Sequence, residues 1–155
     1  MIRAVIPHYF AEAEAPVRGI GAGFGSRLPG ARLARSIAMS RCLHGLLNLR
    51  CAGRDLQLDL RTAQGVPTAA VAQGLAVEVE VVVVVQQECC LLDVITPLAP
   101  QVRVLQVDLE DPRHLGLAAR DWLIAHPAPA DLNLYLEDDL VISDPWFAEK
   151  ILWLA

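Results

Sequence analysis

The sequence predicts an α/β protein with a mostly parallel sheet covered by helices on both faces. Three observations carry this expectation. Strand-like and helix-like segments alternate along the chain, the run LAVEVEVVVVV at Leu75 to Val85 passes into unbroken valine, and 54% of the residues are hydrophobic against 20% charged. Alternation of the two element types is what helix-connected parallel strands require, and a continuous β-branched run suits a strand buried on both sides. The 155 residues fit one domain, residues 1–155, with a sizeable core.

The elements follow in order. Ile2 to Pro7 is a short β-branched run and reads as a first strand, with His8, Tyr9 and Phe10 at its exposed end. VRGIGAGFGSRLPG then reads as a loop, because Gly19, Gly21, Gly23, Gly25 and Gly30 punctuate it. From Ala31 to Leu49 the residues Met39, Cys42, Leu43, Leu46 and Leu49 recur at helical spacing, with Arg35, Arg41 and His44 on the other face. Between Cys51 and Gly74 the pattern yields a short strand at Leu56 to Leu60 and a polar turn around Gly65 and Pro67. After the valine strand, QQECCLLDVI predicts a short helix stopped before Pro97. Val102 to Leu109 is a third strand, near the acidic residues Asp108, Glu110 and Asp111. Leu115, Ala118, Ala119, Trp122 and Leu123 then mark one face of a helix closed by Pro127. Leu132 to Ile142 is a strand, and Asp144 with Pro145 supplies the N-cap and first helical position for WFAEKILWLA.

Several function classes are excluded at this level. The net charge is -5 and the 13 basic residues are scattered, so no cationic stripe is offered to a nucleic-acid backbone. Cys42, Cys51, Cys89 and Cys90 form no CxxC pair and have no paired histidine spacing, which argues against structural zinc or a disulfide framework and for reduced thiols in a cytoplasmic protein. The longest apolar run falls far short of the roughly 18 residues of a membrane span, and MIRAVIPHYF lacks a signal-peptide core. The glycine loop lacks the lysine of a phosphate-binding P-loop, GIGAGFG does not sit tightly between a strand and a helix, and GxSxG is absent.

The chemistry concentrates in LYLEDDLVISDP, Leu134 to Pro145, where Glu137, Asp138 and Asp139 stand between apolar runs. Carboxylates taken out of water need compensation. Strand parity puts Tyr135, Glu137 and Asp139 on one face and Leu134, Leu136, Asp138 and Leu140 on the other. Two acids two residues apart can flank a Mg²⁺ or Mn²⁺ ion and the phosphates bound to it, because these ions accept few hard oxygen ligands when a substrate completes their shell. Arg18 or Arg27 in the glycine loop is a candidate phosphate contact. The ends of the predicted strands, with His8, the Asp108 cluster and the acidic triplet, converge on the edge where α/β sheets bind ligands.

An apolar first strand (RAVIPHYF), a helix, further α/β units and a strand closing on LYLEDDLVI resemble the donor-binding half of a GT-A type glycosyltransferase. The segment YLEDDLVISDPWFAEKILWL is the most specific part of the likeness, since these enzymes carry a DxD-type motif followed by a helix; here it reads ExD. The resemblance implies that Asp139 holds a divalent cation, Mn²⁺ or Mg²⁺, on a nucleotide-diphosphate sugar, with Glu137 assisting at the metal and Asp138 at the donor. It also implies that Pro7, His8 and Tyr9 lie where the nucleotide base is held, and that Arg120 of GLAARDW approaches the donor. The activity so implied is metal-dependent transfer of a sugar. In that family the acceptor site and catalytic base follow the DxD helix, whereas this sequence stops at Ala155. The likeness therefore implies a truncated domain, completed by further residues or by a protein partner over the C-terminal helix. The competing expectation is a non-catalytic nucleotide-binding or protein-interaction module of the same fold, for which the apolar Trp146, Phe147, Ile151, Leu152, Trp153 and Leu154 speak.

Overall fold

The computed structural model describes residues 1–12, 29–49, 54–69, 78–126, 130 and 132–154. Strand β1 (Ile2–His8) is followed by helix α1 (Arg32–Leu47) and by strands β2 (Arg54–Asp59) and β3 (Gln64–Ala69). Then come β4 (Val79–Gln86), a single helical turn α2 (Leu92–Ile95), β5 (Val102–Val107), α3 (Leu115–Ala125), β6 (Leu132–Tyr135) and α4 (Phe147–Leu154). A four-stranded sheet has the order β5-β4-β1-β6, and all its pairings are parallel. The remaining strands, β2 and β3, form a separate antiparallel ribbon. The chain is thus α/β with a parallel sheet, as its sequence predicts.

Composition decides which strands lie inside. β1 and the valine-rich β4 are buried along nearly their whole length and occupy the two central positions, where both faces need apolar cover. The edge strand β6 alternates between half-buried and exposed residues. Parity divides the core in two. Ile2, Ala4 and Ile6 of β1, with Val79, Val81, Val83 and Val85 of β4, pack beneath Met39, Cys42, Leu43 and Leu46 of α1. Val5, Val82 and Val84 face the other way, onto Leu115, Ala119, Trp122 and Leu123 of α3. Each fully buried valine of the run contributes roughly 1.5 kcal/mol or more relative to exposure, so the run anchors both layers at once.

Some boundaries differ from the sequence expectation, each for a physical reason. The polar turn expected around Gly65 and Pro67 is instead part of β3, and the turn falls at residues 60–63. There the Asp59 carboxylate accepts the Arg61 N–H at 2.9 Å, which fixes the reversal earlier. Each strand of a two-stranded ribbon has one unpaired edge, toward which alternate residues turn their N–H groups, and proline is tolerated on such an edge strand. The helix expected over QQECCLLDVI shrinks to Leu92–Ile95, because Gln86 completes β4 and its amide pairs with both the N–H and the carbonyl of Leu109. The α-helix ends at Ile95, before Pro97 as expected, and a 3-10 turn, Thr96–Leu98, follows it with Pro97 in its first positions, where no N–H is needed. The strand expected from Leu132 to Ile142 ends at Tyr135, and the chain turns at Asp138 and Asp139. Leu75 to Val77 of the expected valine strand lie outside the described residues.

The sheet order creates a topological switch point. β1 leads through α1 toward β4 on one side of it, whereas β5 leads through α3 to β6 on the other side. The direction in which strands are added therefore reverses at β1 and β6. In open α/β sheets, ligands bind outside the carboxyl ends of the strands at such a switch point.

One contact fixes the chain beyond β6. Gly45 lies within α1, and a Cβ there would come within 2.7 Å of the Ile142 carbonyl oxygen, which is backbone and cannot swing away. Gly45→Ala is accordingly expected to lower stability by about 1–3 kcal/mol by overpacking, although alanine is the better helix former by about 1 kcal/mol. Urea unfolding measures it. A midpoint equal to or above that of the parent protein would show that α1 and the Ile142 segment do not approach this closely.

Candidate functional site

The site begins with the register of the β1–β6 ladder. Ile2 pairs with Leu132 and Val5 with Tyr135, an offset of 130, and the same offset carried past the end of β6 brings His8 to Asp138. Alternation persists through this extension, so Leu132, Leu134, Leu136 and Asp138 turn inward while Asn133, Tyr135 and Glu137 turn outward. Leu136 N–H still bonds to the Val5 carbonyl at 3.2 Å, which keeps the extension in line.

Asp138 is consequently the acid that is buried. Its Oδ2 lies 2.5 Å from Nδ1 of His8, itself fully buried. The Leu91 N–H donates to His8 Nε2 at 3.1 Å, so Nε2 offers a lone pair and the proton sits on Nδ1, donated to Asp138. On its other oxygen, Oδ1, Asp138 accepts from Nη2 of Arg35 in the first part of α1. Burial by itself pushes the Asp138 carboxyl upward, but the His8 and Arg35 hydrogen bonds outweigh it and hold the group below the usual carboxylate value. Beside this set, Cys42 Sγ lies 3.8 Å from the Glu137 carbonyl oxygen. Burial first, and then the negative charges of Asp138 and Asp139, push its thiol up to about 12. Cys42 is therefore an inert thiol rather than a nucleophile.

Glu137 and Asp139 stand outside this buried set. Both are exposed, and Asp139 Oδ2 lies 3.6 Å from Arg35 Nη1. Glu137 shares the outward side with Tyr135, whose hydroxyl is pushed up by burial and then by Glu137, against an opposing effect of Arg120. Arg120 sits on α3 with its guanidinium paired to Asp121 at 2.7 Å. Pro7 is half-buried within β1, and Tyr9 packs beside the α3 layer. Arg18 and Arg27 lie outside the described residues. After the triplet, Asp144 accepts the Trp146 N–H at 3.0 Å and pairs with Lys150 at 2.5 Å, but α4 begins at Phe147, so Asp144 holds the turn before the helix and Pro145 lies in that turn rather than at the first helical position.

Two further features depart from the sequence reading. His8, expected to line a ligand, has both ring nitrogens occupied inside the fold. Arg35, expected on the outer face of its helix, points to the acids. The signal for Arg35 was in the sequence: it precedes Met39 by four residues and Cys42 by seven, and so continues the buried stripe of α1.

Among the described residues, no three His, Cys, Asp or Glu side chains are grouped so as to hold a metal ion by themselves. Glu137 and Asp139 each offer hard carboxylate oxygens, Asp139 beside Arg35 of α1 and Glu137 beside Tyr135 on the side of α3. That donor chemistry fits Mg²⁺ or Mn²⁺ with water or phosphate oxygens supplying the other positions, and does not fit a closed zinc site. Among the described residues no helix is long and apolar enough to cross a membrane. Comparison with family models, with curated proteins and with solved structures finds no match.

An amide at position 138 offers one acceptor to two donors, Nδ1–H of His8 and Nη2 of Arg35. Asp138→Asn is therefore expected to cost about 2–4 kcal/mol in urea unfolding near neutral pH. The folded carboxyl holds its proton less tightly than the unfolded one, so its contribution is present above the ordinary value of 3.8 and is lost as pH falls through the lower folded value. The gap between parent and variant should close in that acid range; a gap that is constant with pH would refute the ion-paired assignment. Cys42 should resist alkylation in the folded protein at mildly alkaline pH and react only on unfolding, read by mass spectrometry. Rapid labelling of native Cys42 would contradict its burial.

Proposed function

We propose that this chain binds a nucleotide-diphosphate sugar in a metal-dependent manner and serves as the donor-binding part of a glycosyltransferase of the GT-A type. The observation that carries the reading is the position of Glu137 and Asp139, turned outward at the carboxyl edge of the β1–β6 switch point by the inward anchoring of Asp138. The start of α1 supports it. Its N-cap, Ala31, makes no side-chain cap bond, and its first turn holds no acid but does hold Arg32, so its amide groups and positive dipole end favour a phosphate.

In this reading Asp139 and Glu137 are the metal-holding acids. A bound Mg²⁺ or Mn²⁺ supplies Lewis-acid stabilisation of the charge that builds on a departing diphosphate. The chain's own residues fix where that happens. His8 and Arg35 hold the turn, Asp138 sets which acids face outward, and the α1 amides offer donors to phosphate oxygens, while the Arg32 guanidinium is paired with Asp93 at 2.9 Å. Asp138 and His8 act as positioning residues rather than as ligand contacts.

A second reading, a protein-interaction module, is favoured by α4. It docks on the core through Ala148 and Phe147 but leaves Trp153 86% and Leu154 75% exposed, with Trp146, Leu140 and Val141 also open.

Calorimetry with several nucleoside diphosphates, with and without Mn²⁺, separates the two. The expected result is metal-dependent binding that Asp139→Ala abolishes while leaving the unfolding free energy within about 0.5 kcal/mol of the parent, as for an exposed side chain. No binding by the well-folded protein under any of these conditions would favour the interaction module.

A further inference from the structure

Cys89 and Cys90 are consecutive, half-buried, unbridged thiols in the turn that leaves β4. Their backbone is held from several directions. Cys89 N–H donates to the Gln86 carbonyl at 2.9 Å, Cys90 N–H donates to the Glu88 carbonyl at 2.8 Å, and the Cys89 carbonyl accepts the Phe10 N–H at 3.0 Å. The next N–H, that of Leu91, is the one bonded to His8. The turn therefore ties the end of β4 to the end of β1, with Cys90 packed against the α1 side of the core. Burial, and then the neighbouring Cys89, push the Cys90 thiol up against an opposing Leu92 N–H, so Cys90 is kept as a neutral thiol close to a second sulfur.

The spacing of the pair decides which sulfur chemistry suits it. The peptide between them is trans, which sets adjacent Cα atoms about 3.8 Å apart, whereas disulfides ordinarily span about 4.4–6.8 Å. A direct S–S bond is disfavoured. A bridge of one inserted atom removes that constraint, because each sulfur bonds to the inserted atom and not to its neighbour. The half-buried position adds a second requirement, that the product bring no uncompensated charge.

We propose that Cys89 and Cys90 form a binding site for trivalent arsenicals, neutral electrophiles that bridge two thiols. An organoarsenous acid brings two As–OH groups to the pair. Two As–O bonds and two S–H bonds break, two As–S bonds form, and each thiol proton departs with a hydroxyl group as water. Arsenic stays trivalent, so nothing is oxidised or reduced. The product is uncharged and needs only the two thiols as donors, which meets both requirements of the turn. The site lies one residue from the His8 anchor and does not depend on the donor-binding reading.

The test titrates the folded 155-residue chain with phenylarsine oxide and counts bound arsenical by mass spectrometry of the intact protein. The parent is expected to take up one equivalent that withstands excess glutathione, a monothiol, and is released by 2,3-dimercaptopropanol, a dithiol. Cys89→Ser and Cys90→Ser are each expected to weaken binding on the order of a hundredfold, because the second As–S bond is then no longer an intramolecular step. Cys51→Ser is expected to bind as the parent does. Should Cys90→Ser lack a cooperative unfolding transition, Cys89→Ser carries the comparison alone. A parent that takes up no arsenical, or a folded Cys89→Ser chain with undiminished affinity, overturns the proposal. So does a loss of binding in Cys51→Ser, which would place the bridge elsewhere.

Discussion

Taking one carboxylate out of water is the constraint on which the carboxyl edge of this sheet depends. Asp138 is almost wholly buried, and His8 and Arg35 compensate it from two different elements, β1 and α1. A further bond from the Leu91 N–H fixes the imidazole, so the segment before α2 joins the same arrangement. Four parts of the chain, distant in sequence, are thereby made to agree on one position. The early exit of the chain from β6, the turn at Asp138 and Asp139, and the close passage of Ile142 over Gly45 all accompany it.

The two ends of the sheet treat buried charge differently. On the α3 side near the start of β1, Arg3 is buried and its donors are engaged: Nε meets Glu80 at 2.7 Å and Nη1 meets the His126 carbonyl, with the Trp122 ring 5.9 Å from the guanidinium. That set closes on itself. At the carboxyl edge, Arg35 has no partner for its Nε among the described residues and a loose Nη1 beside an exposed acid. A closed charge network rigidifies a fold, whereas one with donors to spare at a ligand edge leaves interactions for something else to complete.

Much of this was legible in the sequence, and the failures have identifiable causes. The valine run announced a central strand because both faces of a parallel sheet must be apolar, and the helical face of Leu115, Ala119, Trp122 and Leu123 announced α3. Parity separated Asp138 from Glu137 and Asp139, and the structure keeps that separation. What parity could not supply was the partner that drew Asp138 inward, since the His8 contact depends on a register between strands 130 residues apart. Arg35 was missed because charge outweighed spacing: an arginine on an apolar stripe reads as surface unless a buried acid is already known. The α2 region was misread because side-chain ties from Gln86 to Leu109 lie beyond any local window. In the hairpin, Asp59 outcompeted glycine and proline for the place of the turn.

The constant offset between β1 and β6 also says how this architecture tolerates change. Inserted residues in the connections between the sheet strands leave the pairing of His8 with Asp138 untouched, because the ladder from Ile2 to Val5 sets it. One residue gained or lost between Leu132 and Glu137 has the opposite effect: it rotates the order of inward and outward acids by one place and presents the wrong carboxylate to the interior. The site is therefore addressed by counting along a few residues of one edge strand, and the chain's freedom to drift in length ends there.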